Sequence, residues 1–227
     1  MDNKVFLSGC GIINKAGNSL ESIKNNSDAL GEISEFKLED FISSQKSYLD
    51  RSGELSLAAA QTALNMTKYS ITDDVNWDFG VSTGSLYGAT PTLERYTKSI
   101  VERSAKGANS ILFTHLYMNS PVSILSIDFR LGGHHLCFGG KNGAVTAISQ
   151  AYNAVKTNRA KDMLVVCYDV IPKNYGIFSD ISEGATAFIF SKESTNSLAL
   201  IPEQATNNIE DENISFKTAN RFLLSFL

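Results

Sequence analysis

One stretch leaves this 227-residue chain little freedom in how it folds. It covers residues 131–169 and reads LGGHHLCFGGKNGAVTAISQAYNAVKTNRAKDMLVVCYD. Residues 134–138 suit a short strand, and Gly139-Gly140-Lys141-Asn142-Gly143 forms a Gly-rich corner. Over 144–157 the apolar residues Ala144, Ile148, Ala151, Tyr152 and Val155 recur at three- and four-residue spacing, so they share one helical face. Residues 163–168 are a near-continuous apolar run bounded by polar residues, the pattern of a strand covered on both faces. A strand feeding a helix through such a corner aims the first helical residue out of the sheet edge, beside the helix's positive end. An α/β enzyme would carry a nucleophile there, and this chain carries Asn142.

The rest of the chain alternates strands and helices around that unit. The opening strand spans 5–13, and Gly17-Asn18-Ser19 turns the chain and caps a helix over 20–25. Residues 26–48 are polar, with scattered Phe36, Leu38, Phe41 and Ile42, and suit a surface excursion of loops and short turns. An Ala- and Leu-rich helix follows over 55–68, with Ser52 or Ser56 as its cap. A short strand at 77–82 runs into Thr83-Gly84-Ser85, and a helix over 90–104 has Pro91 in its first turn. Residues 105–110 form a loop, and 111–117 are apolar with no assigned type. Pro121 opens a helix ending near Arg130, stopped by Gly132-Gly133.

Beyond the central unit, Gly184 introduces a buried strand over 185–191, residues 192–196 turn the chain, and 197–201 suit one more strand. Residues 207–213 are polar and acidic. The tail, 214–227, ends in Phe222, Leu223, Leu224, Phe226 and Leu227, and such a tail docks on its own domain or on a partner. With no internal repeat or linker, the pattern predicts one α/β domain over 1–227, a mostly parallel five-stranded sheet covered by helices.

Composition excludes several function classes. A net charge of −4 leaves no basic footprint for nucleic acid. No apolar run approaches the roughly 20 residues of a membrane helix. The three cysteines, Cys10, Cys137 and Cys167, sit in apolar stretches without metal-ligand spacing, which argues against a disulfide framework and suits the cytoplasm. Leu7-Ser8-Gly9-Cys10 matches a lipoprotein cleavage pattern, but only Val5, Phe6 and Leu7 precede it where a signal peptide needs about 7–15 apolar residues. Gly9-Cys10-Gly11 lacks the third glycine of a dinucleotide loop, since Asn14 stands there.

Several blocks, taken in order, resemble the N-terminal half of a β-ketoacyl synthase of the thiolase-like superfamily. Val5 through Ser19 is similar to the family's opening strand and turn. Arg51 followed by Leu55-Ser56-Leu57-Ala58-Ala59-Ala60 resembles the helix after its "DR" element. Gly80-Val81-Ser82-Thr83-Gly84 is similar to its second strand and Gly-rich turn, and Met118-Asn119 followed by Pro121 to the start of its interface helix. Residues 131–162 align without a gap to the segment around the family's active-site cysteine, and Glu183-Gly184-Ala185-Thr186-Ala187 resembles its "GEGA" strand start. The match runs from Val5 to Ile201.

The resemblance places Asn142 where the family has its nucleophile. An amide is no nucleophile, although it can serve as a hydrogen-bonding N-cap. The family's catalytic histidines belong to its C-terminal half, so no catalytic role passes to His134 or His135. The resemblance therefore implies a subunit with no catalytic residue of its own, needing neither metal nor cofactor. Type II polyketide systems pair an active ketosynthase with such a subunit, the chain length factor, and shortened versions resemble subunits of aryl polyene and flexirubin-type pigment clusters. The implied partner is a full-length ketosynthase with an intact cysteine, with an acyl carrier protein bound indirectly. The implied interface comprises Met118, Asn119, His134, His135, Leu136, Cys137 and Phe138. Tunnel-gating positions carry over to Ala89, Thr92 and Tyr96, which share one helical face; that face equally suits packing in the domain's own core. Two other readings stay open: a small thiolase-like acyltransferase using Cys137, and a homo-oligomeric acyl-binding scaffold.

Overall fold

The computed structural model describes residues 4–26, 29–43, 49–171, 181–195 and 197–227. The opening strand, β1 (Val5–Asn14), leads into α1 (Leu20–Asn25), whose N-terminus is closed by a capping box between Ser19 and Ser22. Residues 29–43 of the expected surface excursion form loops and one short turn, with Leu38 and Ile42 buried; 27–28 and 44–48 lie outside the described residues. Next comes α2 (Arg51–Asn65), which begins about a turn before the expected start. Asp50, not Ser52 or Ser56, is its cap: the Asp50 carboxylate accepts from Gly53 N–H at 2.9 Å.

The chain continues through β2 (Phe79–Ser85), α3 (Thr90–Arg103), the short α4 (Ser110–Phe113) and α5 (Ser120–Asp128). The stretch read around the corner becomes β3 (His135–Gly139), α6 (Gly143–Lys156) and β4 (Asp162–Ile171). Then follow β5 (Ser182–Ser191), β6 (Ala199–Ile201), α7 (Glu203–Asn207) and α8 (Ser215–Leu224). Of the turn expected at 192–196, residue 196 lies outside the described residues.

The sheet has six strands in the order β3-β2-β4-β5-β1-β6. Two pairings, β2 with β3 and β2 with β4, are parallel, and the other three are antiparallel. The expected mostly parallel, five-stranded sheet is therefore corrected to a mixed one. The apolar runs of β4 and β5 report burial on both faces, which says nothing about direction. Parallel neighbours need a crossover element, and helices lie between β2, β3 and β4. By contrast β5 returns antiparallel to β4 along its whole length.

Alternation along β4 sends Leu164 and Val166 to one face and Val165 and Cys167 to the other. On the first face α2 and α5 bring Leu55, Ala59 and Leu125, and Phe129 joins them from just past the end of α5. On the second, α6 brings Ile148, Ala151 and Val155. There the apolar tail, as α8, docks in cis, with Phe222 stacked on Phe188 at 5.4 Å between centroids. Gly11 lets β1 approach α2 at backbone distance, since a Cβ there would collide with the Ala59 carbonyl.

The two charged positions singled out by sequence meet in one contact. The Arg51 guanidinium donates to Glu183 twice, Nε to Oε2 at 2.8 Å and Nη2 to Oε1 at 2.6 Å. Ile33 N–H also donates to Glu183 at 3.0 Å, and the Phe36 ring lies 4.6 Å from the guanidinium carbon. This pair fastens the start of α2 to the start of β5 and folds the excursion over both. Glu183→Ala removes both bonds but leaves Arg51 its Glu54 and Ile33 carbonyl contacts, so it is expected to cost about 2 kcal/mol. Urea unfolding checks it: the midpoint should fall while the slope stays unchanged.

Candidate functional site

The corner between β3 and α6 is built from backbone that few residues adopt. Gly140 has φ +78°, and Asn142 is left-handed at φ 63°, ψ 11°. Asn tolerates that region better than other side chains bearing a Cβ. The first turn of α6 rests directly on β2, because a Cβ on Gly84 would come within 2.7 Å of the Ala144 α-carbon. Asn142 is exposed, and its N–H donates to the Asp211 carboxylate at 3.1 Å. Its amide makes no capping bond, so the expected hydrogen-bonding N-cap is not formed. Side-chain caps work from extended backbone, and the left-handed turn takes this amide out of that geometry.

A buried carboxylate holds the ground beneath the corner. Asp169, on β4, is fully buried and accepts from Ser85 Oγ at 2.8 Å, Leu86 N–H at 2.9 Å and Tyr87 N–H at 3.1 Å. Ser215 N–H, at the start of α8, is the fourth donor, at 2.6 Å. Burial pushes the Asp169 carboxyl above the usual carboxylate range, and bonds from Ser215, Ser85 and Tyr87 pull it back in part. The chain connects this carboxylate to the corner, since the Ser85 carbonyl accepts from Gly140 N–H at 3.0 Å.

The residues expected at an interface gather along one side of the sheet. His135, Leu136, Cys137 and Phe138 lie in β3, which is an edge strand. His134 stands just before it rather than in it, its carbonyl accepting from Val81 N–H at 2.7 Å. His135 Nε2 donates to the Leu131 carbonyl at 2.9 Å. Met118 lies across Gly139, where any Cβ would strike its thioether, and Asn119 opens α5. Sequence reasoning missed Phe113 and Tyr117, which meet edge to face at 5.9 Å next to Met118 and are about half exposed. Their signal was the unassigned apolar run at 111–117.

The proposed gating positions face the domain itself. Ala89 precedes α3, and Thr92 is buried, donating to Asp50 Oδ2 at 2.7 Å. Tyr96 is half-buried, its ring 6.1 Å from Phe113. The cleft beside Thr92 measures about 210 Å³, below the roughly 300 Å³ of ordinary ligand pockets.

No described cysteine sits at a helix N-terminus. The Cys137 thiol donates to the Met118 carbonyl at 3.3 Å, and burial pushes it above the ordinary thiol value, against a smaller opposing effect of Thr83. Burial raises Cys10 to about 11 and Cys167 further. Among the described residues no group of three or more His, Cys, Asp or Glu is placed to hold a metal ion, and no helix is long and apolar enough to cross a membrane.

Solved structures resemble this arrangement. A type II polyketide ketosynthase with its acyl-carrier protein, AntDE:AntF, is 17% identical with a TM-score of 0.73, covering 88% of this chain and 67% of that one. The ishigamide ketosynthase/chain length factor is 12% identical with a TM-score of 0.71, over 88% of this chain and 62% of that chain. The ketosynthase ApeO in complex with its chain length factor ApeC, from Xenorhabdus doucetiae, is 12% identical with a TM-score of 0.59, over 84% and 79%. No protein-family model and no curated sequence matches. The chain has the thiolase-like α/β fold of the ketosynthases, and it spans about two thirds of the length of the AntDE:AntF and ishigamide chains.

The raised Cys137 thiol leads to a measurable expectation. Little thiolate is present at pH 7, so iodoacetamide should label Cys137 more slowly than a free cysteine peptide. The rate should climb only as pH rises past the ordinary thiol value. Rapid, stoichiometric labelling at pH 7, read by mass spectrometry, would contradict this.

Proposed function

We propose that this chain is a noncatalytic, chain-length-factor-like subunit that pairs with an active β-ketoacyl synthase. One observation carries the reading: the strand–corner–helix elbow is fully built, left-handed residue included, yet it presents the amide of Asn142. In this reading the partner supplies the cysteine and histidines for decarboxylative Claisen condensation on a carrier-bound acyl chain. This chain supplies interface area along β3 and part of the wall against which the acyl chain ends. Discrimination then follows from pocket shape, where one misfit methylene is worth about 1–3 kcal/mol. The work is cytoplasmic, needs no cofactor here, and belongs to polyene, polyketide or fatty-acid-type synthesis.

The small cleft beside Thr92 supports a tunnel housed mainly in the partner. Thr92 is committed to Asp50, so among the three gating positions Tyr96 is the one whose ring reaches the aromatic surface at Phe113 and Tyr117. A Cys137 acyltransferase is disfavoured by its raised thiol and its place on a strand edge.

Co-expression with a full-length ketosynthase bearing an intact cysteine tests the pairing. Size exclusion with light scattering should give a stable 1:1 complex. A monomer or homodimer that ignores every ketosynthase offered would sink the proposal and favour the homo-oligomeric reading. Within an active complex, Tyr96→Ala should shift products toward longer chains, measured by mass spectrometry; an unchanged distribution would remove Tyr96 from the tunnel.

A further inference from the structure

The pairing proposed above needs more surface than β3 can give. A stable interface removes about 800 Å² from each partner. A five-residue strand is only about 17 Å long and offers mainly hydrogen-bonding groups along its edge. The interface must therefore run past both ends of the strand. At the C-terminal end the apolar surface is Met118 with Phe113 and Tyr117, already described. At the N-terminal end stand Val75 and Trp77, 40% and 75% exposed.

Trp77 lies beside this edge. Below the named strands an isolated parallel bridge joins Asn76 and Leu131. Asn76 N–H donates to the Arg130 carbonyl and Gly132 N–H to the Asn76 carbonyl, both at 2.8 Å. The Trp77 indole lies across Gly132: a Cβ there would come within 2.9 Å of the ring and would strike Val75 as well. The missing side chain at Gly132 thus lets an indole and a valine fold over the edge strand's own approach. An exposed indole has only two side-chain torsions to fix on contact, a property that makes tryptophan a binding anchor.

We infer that Trp77, seated on Gly132 and flanked by Val75, is the second anchor of the partner interface, contacting the ketosynthase beyond the end of β3. The inference rests on the pairing proposed above. A pseudo-twofold arrangement runs the two edge strands antiparallel, which brings Trp77 beside the partner's counterpart of the Met118 end.

Trp77 is the chain's one tryptophan, so it can be read directly. Incorporating 5-hydroxytryptophan into this chain alone, and exciting it selectively, separates it from the partner's tryptophans. In the purified complex acrylamide quenching should drop sharply relative to the free chain. Trp77→Ala should weaken the complex at least about tenfold in a dilution series, whereas Leu200→Ser, on the opposite edge strand β6, should leave it unchanged. Both side chains are exposed, so neither change removes core packing. A complex that forms with the label still quenchable and with Trp77→Ala silent overturns this inference while leaving the pairing intact. Absence of any complex overturns both, and quenching protection in the chain alone would then assign the surface to a second copy.

Discussion

The Asp169 carboxylate is the point on which the site's geometry depends. A charge taken wholly out of water is costly unless every acceptor position is used, and here four donors converge on it. Those donors come from the end of β2, the turn leading to α3, and the first residue of α8. One side chain on β4 therefore ties together two segments far apart in sequence, residues 85–87 and Ser215. Ser85 extends the effect, since its hydroxyl also accepts from Gly88 N–H at 2.7 Å while its carbonyl holds Gly140. The left-handed corner is thereby tied to the end of β2 as well as held by its own turn.

That dependence bears on what an amide is doing at the corner. A left-handed residue with a Cβ costs free energy, and an Asn lessens that cost without removing it. Here the turn, the seat of α6 on Gly84 and the bonds from Ser85 together hold Asn142 in that conformation at the start of α6.

Much of the fold was legible because it rests on local rules. The helix at 20–25, the corner and the helix after it follow from a capping turn, glycines and three-four spacing. The tail's apolar face became α8, with Phe216, Ala219, Phe222 and Leu223 all buried at that same spacing. What was not legible depends on groups distant in sequence. Strand direction is invisible in a two-sided apolar run, so the expectation of a mostly parallel sheet does not hold for β5. The cap of α2 is Asp50 rather than a serine because the helix starts at Arg51, with Ser52 and Ser56 inside it, and Asp50 is also bonded by Thr92, 42 residues away in sequence. Asp169 carried no sequence signal at all, since a lone Asp after an apolar run normally reads as a strand's polar end. Within the site, the edge residues were found through the resemblance, while Phe113, Tyr117 and Trp77 needed the structure to place them beside β3.

The two edges of the sheet are built on different terms. Exposed edges invite pairing with other chains, and proteins blunt them by shortness, proline, lysine or an overlying element. The β6 edge is only three residues long and so offers little to pair with. The β3 edge is longer, and His135-Leu136-Cys137-Phe138-Gly139 contains neither a proline nor a formal charge at neutral pH with its histidine neutral. Apolar side chains stand at both of its ends, on Met118 and on Trp77, where a blunted edge would carry charge. A strand added to this sheet would find an open ladder at β3, whereas β6 offers three residues, so edge pairing with a partner or with a second copy is directed to the β3 side.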